Sequence, residues 1–139
     1  MNDTLDYANR NIPDILKSMK NIAIVGLSNK PERTSNEVGS YIKKAGYTIF
    51  PVNPGYDTVL GEKCYASLTE IPEPVDIVNI FRRSEDIYPI VVEAIKIKAK
   101  VIWMQLGIEN QKAARLANDA GLKVVMNRCI KIEHSNLRD

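Results

Sequence analysis

Histidine and cysteine are scarce in this sequence, which has one histidine and two cysteines among 139 residues. Cys64 and Cys129 lie far apart and form no C-x-x-C pair, and His134 has no second histidine beside it. A zinc site needs several such ligands brought together, so we expect no metal site. The two cysteines also give no disulfide framework that would require an oxidising compartment.

Long apolar runs are also missing. No stretch approaches the ~20 apolar residues that a membrane-spanning helix needs. Residues 1–4 do not begin a basic segment followed by an apolar one, as a secretory signal would. We therefore expect a cytoplasmic protein with no membrane contact.

An excess of charge of one sign is absent as well. The net charge is +2, and acidic and basic residues are interleaved along the chain. Nucleic-acid binders usually concentrate basic residues on one face, so we expect no nucleic-acid partner. The length suits one domain over residues 1–139, with a core over about 15–130 and a polar C-terminal tail over about 131–139.

Five short runs rich in β-branched residues predict strands. They cover residues 21–26, 47–52, 75–81, 100–105 and 122–126. Each run is almost continuously apolar instead of alternating, which is typical of strands that are covered on both faces in a parallel sheet.

Helical patterns separate these runs. Thr34 and Glu37 have the T-x-x-E spacing of a capping box, and apolar residues recur at helical spacing up to the stop signal Gly46. Further helical segments are predicted from Ser84, over residues 109–120, just before Pro72, and after the cap residue Asn11. The alternation predicts an α/β fold, a doubly wound parallel sheet of about five strands with helices on both faces.

In such a sheet, ligands bind beyond the carboxyl ends of the strands, near the point where strand order reverses. The segment after the first strand begins at Gly26, which permits a sharp turn and a close approach of a phosphate. Ser28 offers a hydroxyl, and the helix start near Ser35 presents free N–H groups to an anion. Lys30 and Arg33 add positive charge. An ordinary polar turn has similar residues, but this position in the fold favours phosphate binding.

Two features distinguish this segment from the NAD-binding fingerprint. Ser28 and Pro31 replace the second and third glycines of G-x-G-x-x-G. Asn53 ends the second strand where NAD-binding domains place an acid on the ribose. An acid would repel a phosphorylated ribose, such as that of coenzyme A, whereas a neutral Asn accepts it. Pro51 and Pro54 predict a rigid apolar edge for an adenine; a turn that merely ends the strand is the alternative.

Taken in order, these motifs resemble the small single-domain CoA-binding proteins, whose fold matches the CoA-binding domain of succinyl-CoA synthetase. The matching segments are residues 22–54, 60–83 and 99–129. The resemblance covers about residues 15–137 and implies a Rossmann-like fold that binds coenzyme A without chemistry of its own.

The resemblance also implies which residues line the site. The pyrophosphate loop would contain Gly26, Ser28, Lys30, Arg33 and, at the helix start, Ser35. The adenosine end would be bordered by Pro51, Val52, Asn53 and Pro54. The central part of the cleft would be lined by Phe81, Arg82, Gln105 and Gly107. Leu27 replaces the smaller Ala that is frequent in the family, so we expect it to narrow the loop, and Asn127 replaces a frequent Asp.

Two further side chains have competing interpretations. Trp103 lies within an apolar strand, which favours core packing over stacking on a ligand. Cys129 follows Arg128, and a neighbouring cation can lower a thiol pKa. A thiol that faces the thiol of the coenzyme is one hypothesis, and an inert, half-buried cysteine is the other.

No catalytic constellation is evident. The sequence has no G-x-S-x-G motif and no histidine near Ser28 that would act as its base. The resemblance implies that related multidomain synthetases use a phosphorylated histidine outside this domain, and here His134 is predicted in the polar tail. We expect a non-catalytic carrier, buffer or sensor that binds coenzyme A or an acyl-CoA. The alternatives are an NAD(P)-binding redox sensor or oxidoreductase-type domain, and a subunit of an acyl-CoA synthetase completed by a partner chain.

Overall fold

The computed structural model describes residues 8–137. In this part the strands are β1 (Asn21–Val25), β2 (Thr48–Val52), β3 (Thr58–Val59), β4 (Glu62–Lys63), β5 (Ile77–Ile80), β6 (Val101–Met104) and β7 (Lys123–Val125). The α-helices are α1 (Ile12–Ser18), α2 (Thr34–Lys44), α3 (Ile87–Lys96), α4 (Gln111–Asp119) and α5 (Ile130–Ser135), and Leu68–Glu70 and Ser84–Asp86 form single 3₁₀ turns. The expectation about residues 1–4 lies outside the described residues.

The main sheet confirms the predicted doubly wound α/β architecture. Within the described residues it has five parallel strands in the order β2-β1-β5-β6-β7. The strand order reverses between β1 and β5, because the chain places β2 on one side of β1 and all later strands of this sheet on the other. Each predicted strand is present, shortened by one to three residues. The small antiparallel hairpin of β3 and β4 was not predicted.

Both faces of the sheet are covered, as the continuous apolar runs predict. One core cluster packs against α3 and α4, and a second packs against α1, α2 and α5. Trp103 is fully buried in the second cluster, and its indole N–H donates a hydrogen bond to the carbonyl of Arg128 at 2.9 Å. This confirms core packing for Trp103. No helix in residues 8–137 has the length and apolar character needed to cross a membrane.

The helices predicted from Thr34 and Ser84 are present, but the predicted cap of the first is wrong. Thr34 is the first residue of α2, the preceding Arg33 is extended, and no side-chain hydrogen bond caps this helix. Glu37 instead accepts a hydrogen bond from Lys131 at 2.6 Å, so the predicted capping box does not form. The segment from Ser84 begins with a 3₁₀ turn before α3.

The predicted polar tail is wrong over residues 131–135, which belong to α5. The Oε1 of Gln105 accepts the N–H of Ile130 at 3.0 Å and so holds the first residue of this helix. The ring of His134 packs edge-on against Tyr41 and Tyr47, with Nδ1 2.9 Å from the Tyr41 hydroxyl. The helix is therefore anchored to α2, and residues 138–139 of the predicted tail lie outside the described residues.

Candidate functional site

The turn after β1 requires glycine. Gly26 has φ +87°, and a Cβ at this position would lie 2.3 Å from the carbonyl oxygen of Phe81. The N–H of Gly26 donates to the carbonyl of Val52 at 2.8 Å, and the N–H of Phe81 donates to that of Val25 at 2.8 Å. These contacts bring together the carboxyl ends of β1, β2 and β5, at the reversal of strand order.

The loop between β1 and α2 is held by its own hydrogen bonds. The N–H of Ser28 donates to Ser35 Oγ at 2.9 Å, and the N–H of Lys30 donates to Ser28 Oγ at 3.1 Å. The side-chain amide of Asn36 donates to the carbonyl of Ser28 at 2.8 Å. The loop is therefore ordered before any ligand arrives, which lowers the entropic cost of binding.

Leu27 does not narrow this loop, contrary to the prediction. Its side chain is fully buried, and it lies so close to Gly39 of α2 that a Cβ on Gly39 would be 2.9 Å from the Leu27 Cδ1. The carbonyl of Leu27 accepts a hydrogen bond from the side-chain amide of Asn53 at 3.2 Å. The larger side chain thus fills the core beneath α2 and leaves the ligand side of the loop open.

Free N–H groups are available at the start of α2. The first intrahelical hydrogen bond runs from the N–H of Glu37 to the carbonyl of Arg33 at 3.1 Å. The amides of residues 34–36 therefore lack an acceptor within the helix, and the positive end of the helix dipole lies here. Thr34 and Ser35 line the adjoining cleft, so this end of the helix presents to the cleft the N–H donors and positive dipole that suit an anion.

An open cleft of about 870 Å³ lies over these strand ends. Its lining consists of Gly26, Ser28, Lys30, Arg33, Thr34, Ser35, Asn53, Tyr56, Phe81, Arg82, Arg83, Asp86 and Ile108. Eight of the thirteen predicted site residues are brought together here. Thr34 and Arg83 were missed although they adjoin predicted residues. Tyr56 and Ile108 lie in irregular loops, where no periodicity indicates which side chain faces the cleft.

The cleft carries unbalanced positive charge. Arg83 donates to Asp86, with Nε 3.1 Å from Oδ2, and this hydrogen bond raises the pKa of Arg83 above its usual value. Lys30, Arg33 and Arg82 take part in none of the ion pairs found in residues 8–137. Three cations therefore face the cleft without an acidic partner from the described chain.

Five predicted site residues lie outside this cleft. Pro51 is buried within β2, where its carbonyl accepts the N–H of Tyr65, so it gives no surface to an adenine. Val52 and Pro54 border a smaller cavity of about 160 Å³, which shares Arg82 with the cleft. Gln105 is buried and holds α5, and the N–H of Gly107 donates to Asn127 Oδ1 at 2.7 Å.

A second cavity, of about 500 Å³, adjoins the cleft. It shares Thr34, Phe81 and Ile108 with the cleft and is also lined by Glu37, Val38, Gln105, Leu106, Cys129, Lys131 and Ile132. The half-buried Cys129 thus lies in a wall of this second cavity, not in the cleft itself.

The hydrogen bond from Lys131, followed by the attraction of its charge, lowers the pKa of Glu37. No group of three or more His, Cys, Asp or Glu in the described part of the chain is arranged to hold a metal ion.

Comparison with known proteins agrees with this geometry. The sequence profile of a family described as a CoA binding domain matches residues 20–135. The chain is 45% identical over 124 residues to Uncharacterized protein YneT of Bacillus subtilis strain 168, covering 89% of this chain and 92% of that protein. A solved structure titled hypothetical protein from Pyrococcus horikoshii OT3 has a TM-score of 0.89 and 44% identity, covering 91% of this chain and 89% of that one.

A more distant relative is a subunit of an enzyme. The chain is 27% identical over 137 residues to the ADP-forming acetate–CoA ligase II subunit alpha of Pyrococcus furiosus, a match that covers 89% of this chain. The chain spans only 30% of the length of that subunit. From the profile match, the close relatives and the Rossmann-like sheet with its phosphate-type loop, we conclude that the chain belongs to the CoA-binding domain family.

Proposed function

We propose that this chain binds coenzyme A in the cleft at the carboxyl ends of β1, β2 and β5. The pyrophosphate would lie between the Gly26 loop and the first turn of α2, within reach of Lys30 and Arg33. Arg82 would neutralise a further phosphate. The observation that carries the proposal is the group of three cations without acidic partners beside a loop that is already ordered.

The acid-free edge at Asn53 supports a phosphorylated ribose. The Asn53 side chain is engaged, since its amide donates to the carbonyl of Leu27 and its Oδ1 accepts the N–H of Gly55 at 3.1 Å. Its contribution is therefore to hold two loops together without adding negative charge. A cleft of about 870 Å³ also suits a cofactor of this size.

We further propose that the chain is a binding module, acting as a carrier, buffer or sensor, in the cytoplasm as the sequence predicts. Asp86, the acid in the lining of the cleft, is paired with Arg83. His134 packs against Tyr41 and Tyr47 and is not among the cleft residues. No side chain in the cleft is thus placed to act as a general base toward Ser28.

Thermal melting with different ligands tests the proposal. A ligand at ~100 times its dissociation constant adds ~2.7 kcal/mol to the free energy of unfolding. We expect coenzyme A and acetyl-CoA to raise the melting temperature, and NAD, NADP and ATP to have smaller effects. A shift with NAD but none with coenzyme A would contradict the proposal in favour of a nicotinamide-cofactor protein.

The relationship to a ligase subunit favours a second candidate function, that of an acyl-CoA synthetase subunit completed by a partner chain. This candidate predicts that extracts lacking the chain lose ADP-forming acyl-CoA ligase activity and regain it when purified chain is added. An extract whose ligase activity is unaffected would favour the stand-alone binding module.

A further inference from the structure

The second cavity has an unusually apolar wall. Leu106 and Ile132 are 62% and 48% exposed, and they are the exposed large hydrophobic residues of the described chain. Both line this one cavity, together with Val38, Ile108 and Phe81. Exposed apolar side chains that are scattered singly are ordinary, but two that converge on one concavity indicate a binding surface.

Three of the polar side chains that line this cavity, those of Gln105, Glu37 and Lys131, are already engaged. Gln105 accepts the N–H of Ile130 at 3.0 Å, and Glu37 is bonded to Lys131 at 2.6 Å. Both hydrogen bonds form within the protein, without a ligand. The cavity therefore offers apolar contact and suits an aliphatic group better than a polar or charged one.

The cavity adjoins the cleft. Thr34, Phe81 and Ile108 line both concavities, so the two lie on either side of the same three residues. A ligand whose phosphates lie at the Gly26 loop can extend past Phe81 into the second cavity. In coenzyme A the pantetheine arm, and any acyl group on its sulfur, extends away from the phosphates.

We propose that the second cavity binds the aliphatic acyl group of an acyl-CoA, so that the ligand class of this chain is an aliphatic acyl thioester and not free coenzyme A. This inference rests on the proposed coenzyme site. It assigns Leu106 and Ile132 as residues that determine specificity for the acyl chain. Their exposure in the unliganded protein corresponds to surface that the acyl chain covers.

Calorimetric titration with coenzyme A, butyryl-CoA and hexanoyl-CoA tests the inference. Each methylene that is buried fully tightens binding by about fourfold, so two methylenes give about fifteenfold. We expect hexanoyl-CoA to bind about fifteenfold more tightly than butyryl-CoA, and both to bind more tightly than coenzyme A.

The double variant Leu106→Ser/Ile132→Ser is expected to lose this dependence on chain length. A matched control is Ile95→Ser, because Ile95 borders a cavity at the opposite edge of the sheet. The control should retain the wild-type preference for hexanoyl-CoA. Thermal melting of each variant checks that it is folded. If a variant does not fold, the titrations of the wild type with the three ligands still decide the question.

The possible failures are distinguishable. Equal wild-type dissociation constants for coenzyme A and hexanoyl-CoA would overturn the acyl-group site while leaving the coenzyme site intact. Absence of binding by all three ligands would overturn the proposed function itself. A third outcome is that acyl chain length has no effect on affinity, the wild type sediments as a dimer and the double variant sediments as a monomer. The cavity would then be a self-association surface, and the inference would be wrong.

Discussion

At the residue scale, the side chain of Arg33, which we propose binds phosphate, makes none of the contacts that hold the described part of the fold together. Its side chain is exposed and takes part in none of the ion pairs of residues 8–137. Only its backbone is engaged, through the N–H to Lys30 and the carbonyl to Glu37. The guanidinium is therefore available for a phosphate.

Arg33→Ala is expected to weaken coenzyme A binding by about 2 kcal/mol, or roughly 30-fold, because a charge-assisted hydrogen bond to phosphate is lost. The melting temperature without ligand should be nearly unchanged. Arg115→Ala, which removes an exposed arginine from α4 outside the cleft, is the matched control. Calorimetric titration provides the comparison, and equal affinity in the two variants would remove Arg33 from the site.

Gly26→Ala tests the turn that brings β1 and β5 together. The new Cβ would lie 2.3 Å from the Phe81 carbonyl in a backbone of φ +87°, so we expect a loss of about 3 kcal/mol in the free energy of unfolding. Gly46→Ala is the control, because Gly46 has φ +106° and a Cβ there would contact nothing. Gly46→Ala should lose only the free energy that a side chain costs in this left-handed backbone conformation, about 1–2 kcal/mol. If urea unfolding shows the same loss of stability for both variants, the close approach of residue 26 to the Phe81 carbonyl is unimportant.

Three of the predicted residues that line the cleft directly follow a strand: Gly26 after β1, Asn53 after β2 and Phe81 after β5. Their place is predictable because the residue that follows a parallel strand lies at the carboxyl edge of the sheet. Pro51 was misplaced because it lies one residue inside its strand, and one position decides whether a ring faces a ligand or lies within the sheet. Tyr56 was missed because it lies in an irregular loop.

At the scale of elements, Asp76 joins the amino ends of three strands. Its Oδ2 accepts the backbone N–H groups of Lys20 and Asn21 at 3.0 Å, before and at the start of β1. Its Oδ1 lies 3.3 Å from the Nζ of Lys100, which precedes β6. Burial acts to raise the pKa of this carboxyl, but the hydrogen bonds from Asn21, Lys20 and Lys100 outweigh it and lower the pKa below its usual value.

This lowered pKa predicts a pH dependence. The stabilisation is complete above the pKa of an unfolded Asp and is lost as the pH falls through the lower pKa of the folded protein. We expect Asp76→Asn to reduce the free energy of unfolding by about 2 kcal/mol near neutral pH and to lose less stability on acidification than the wild type. Urea unfolding at several pH values measures both effects.

The control for that experiment is Asp119→Asn, which removes an exposed carboxylate at the end of α4. It should retain the acid sensitivity of the wild type. An Asp76→Asn variant that is as stable as the wild type at neutral pH would contradict the structural role of this carboxylate.

Short-range sequence patterns predicted the strands of the main sheet but missed one helix and the small hairpin. The strands β1, β2, β5, β6 and β7 were predicted because a buried parallel strand is a continuous apolar run. The helix α5 was missed because its contacts are distant in sequence: Gln105 holds its first N–H, and Tyr41 and Tyr47 pack on His134. The hairpin of β3 and β4 has two residues per strand, too few for a periodic pattern.

At the scale of the whole molecule, the strand order determines where the site lies. The reversal between β1 and β5 opens a crevice at the carboxyl edge, and the Gly26 loop, Asn53 and Arg82 all adjoin it. Alternation of strands and helices predicts this crevice from the sequence. The second cavity was not predictable, because it requires α5 to pack beside the end of β6.

An amide chemical-shift titration with coenzyme A tests the central claim most directly, because it locates the ligand on the whole chain. The largest shifts are expected at residues 26–36, with further shifts at 53–56 and 81–83. Saturable shifts confined to the opposite edge of the sheet, at residues 98–100 and 120–123, would contradict the assignment of the cleft, as would the absence of any shift at millimolar ligand.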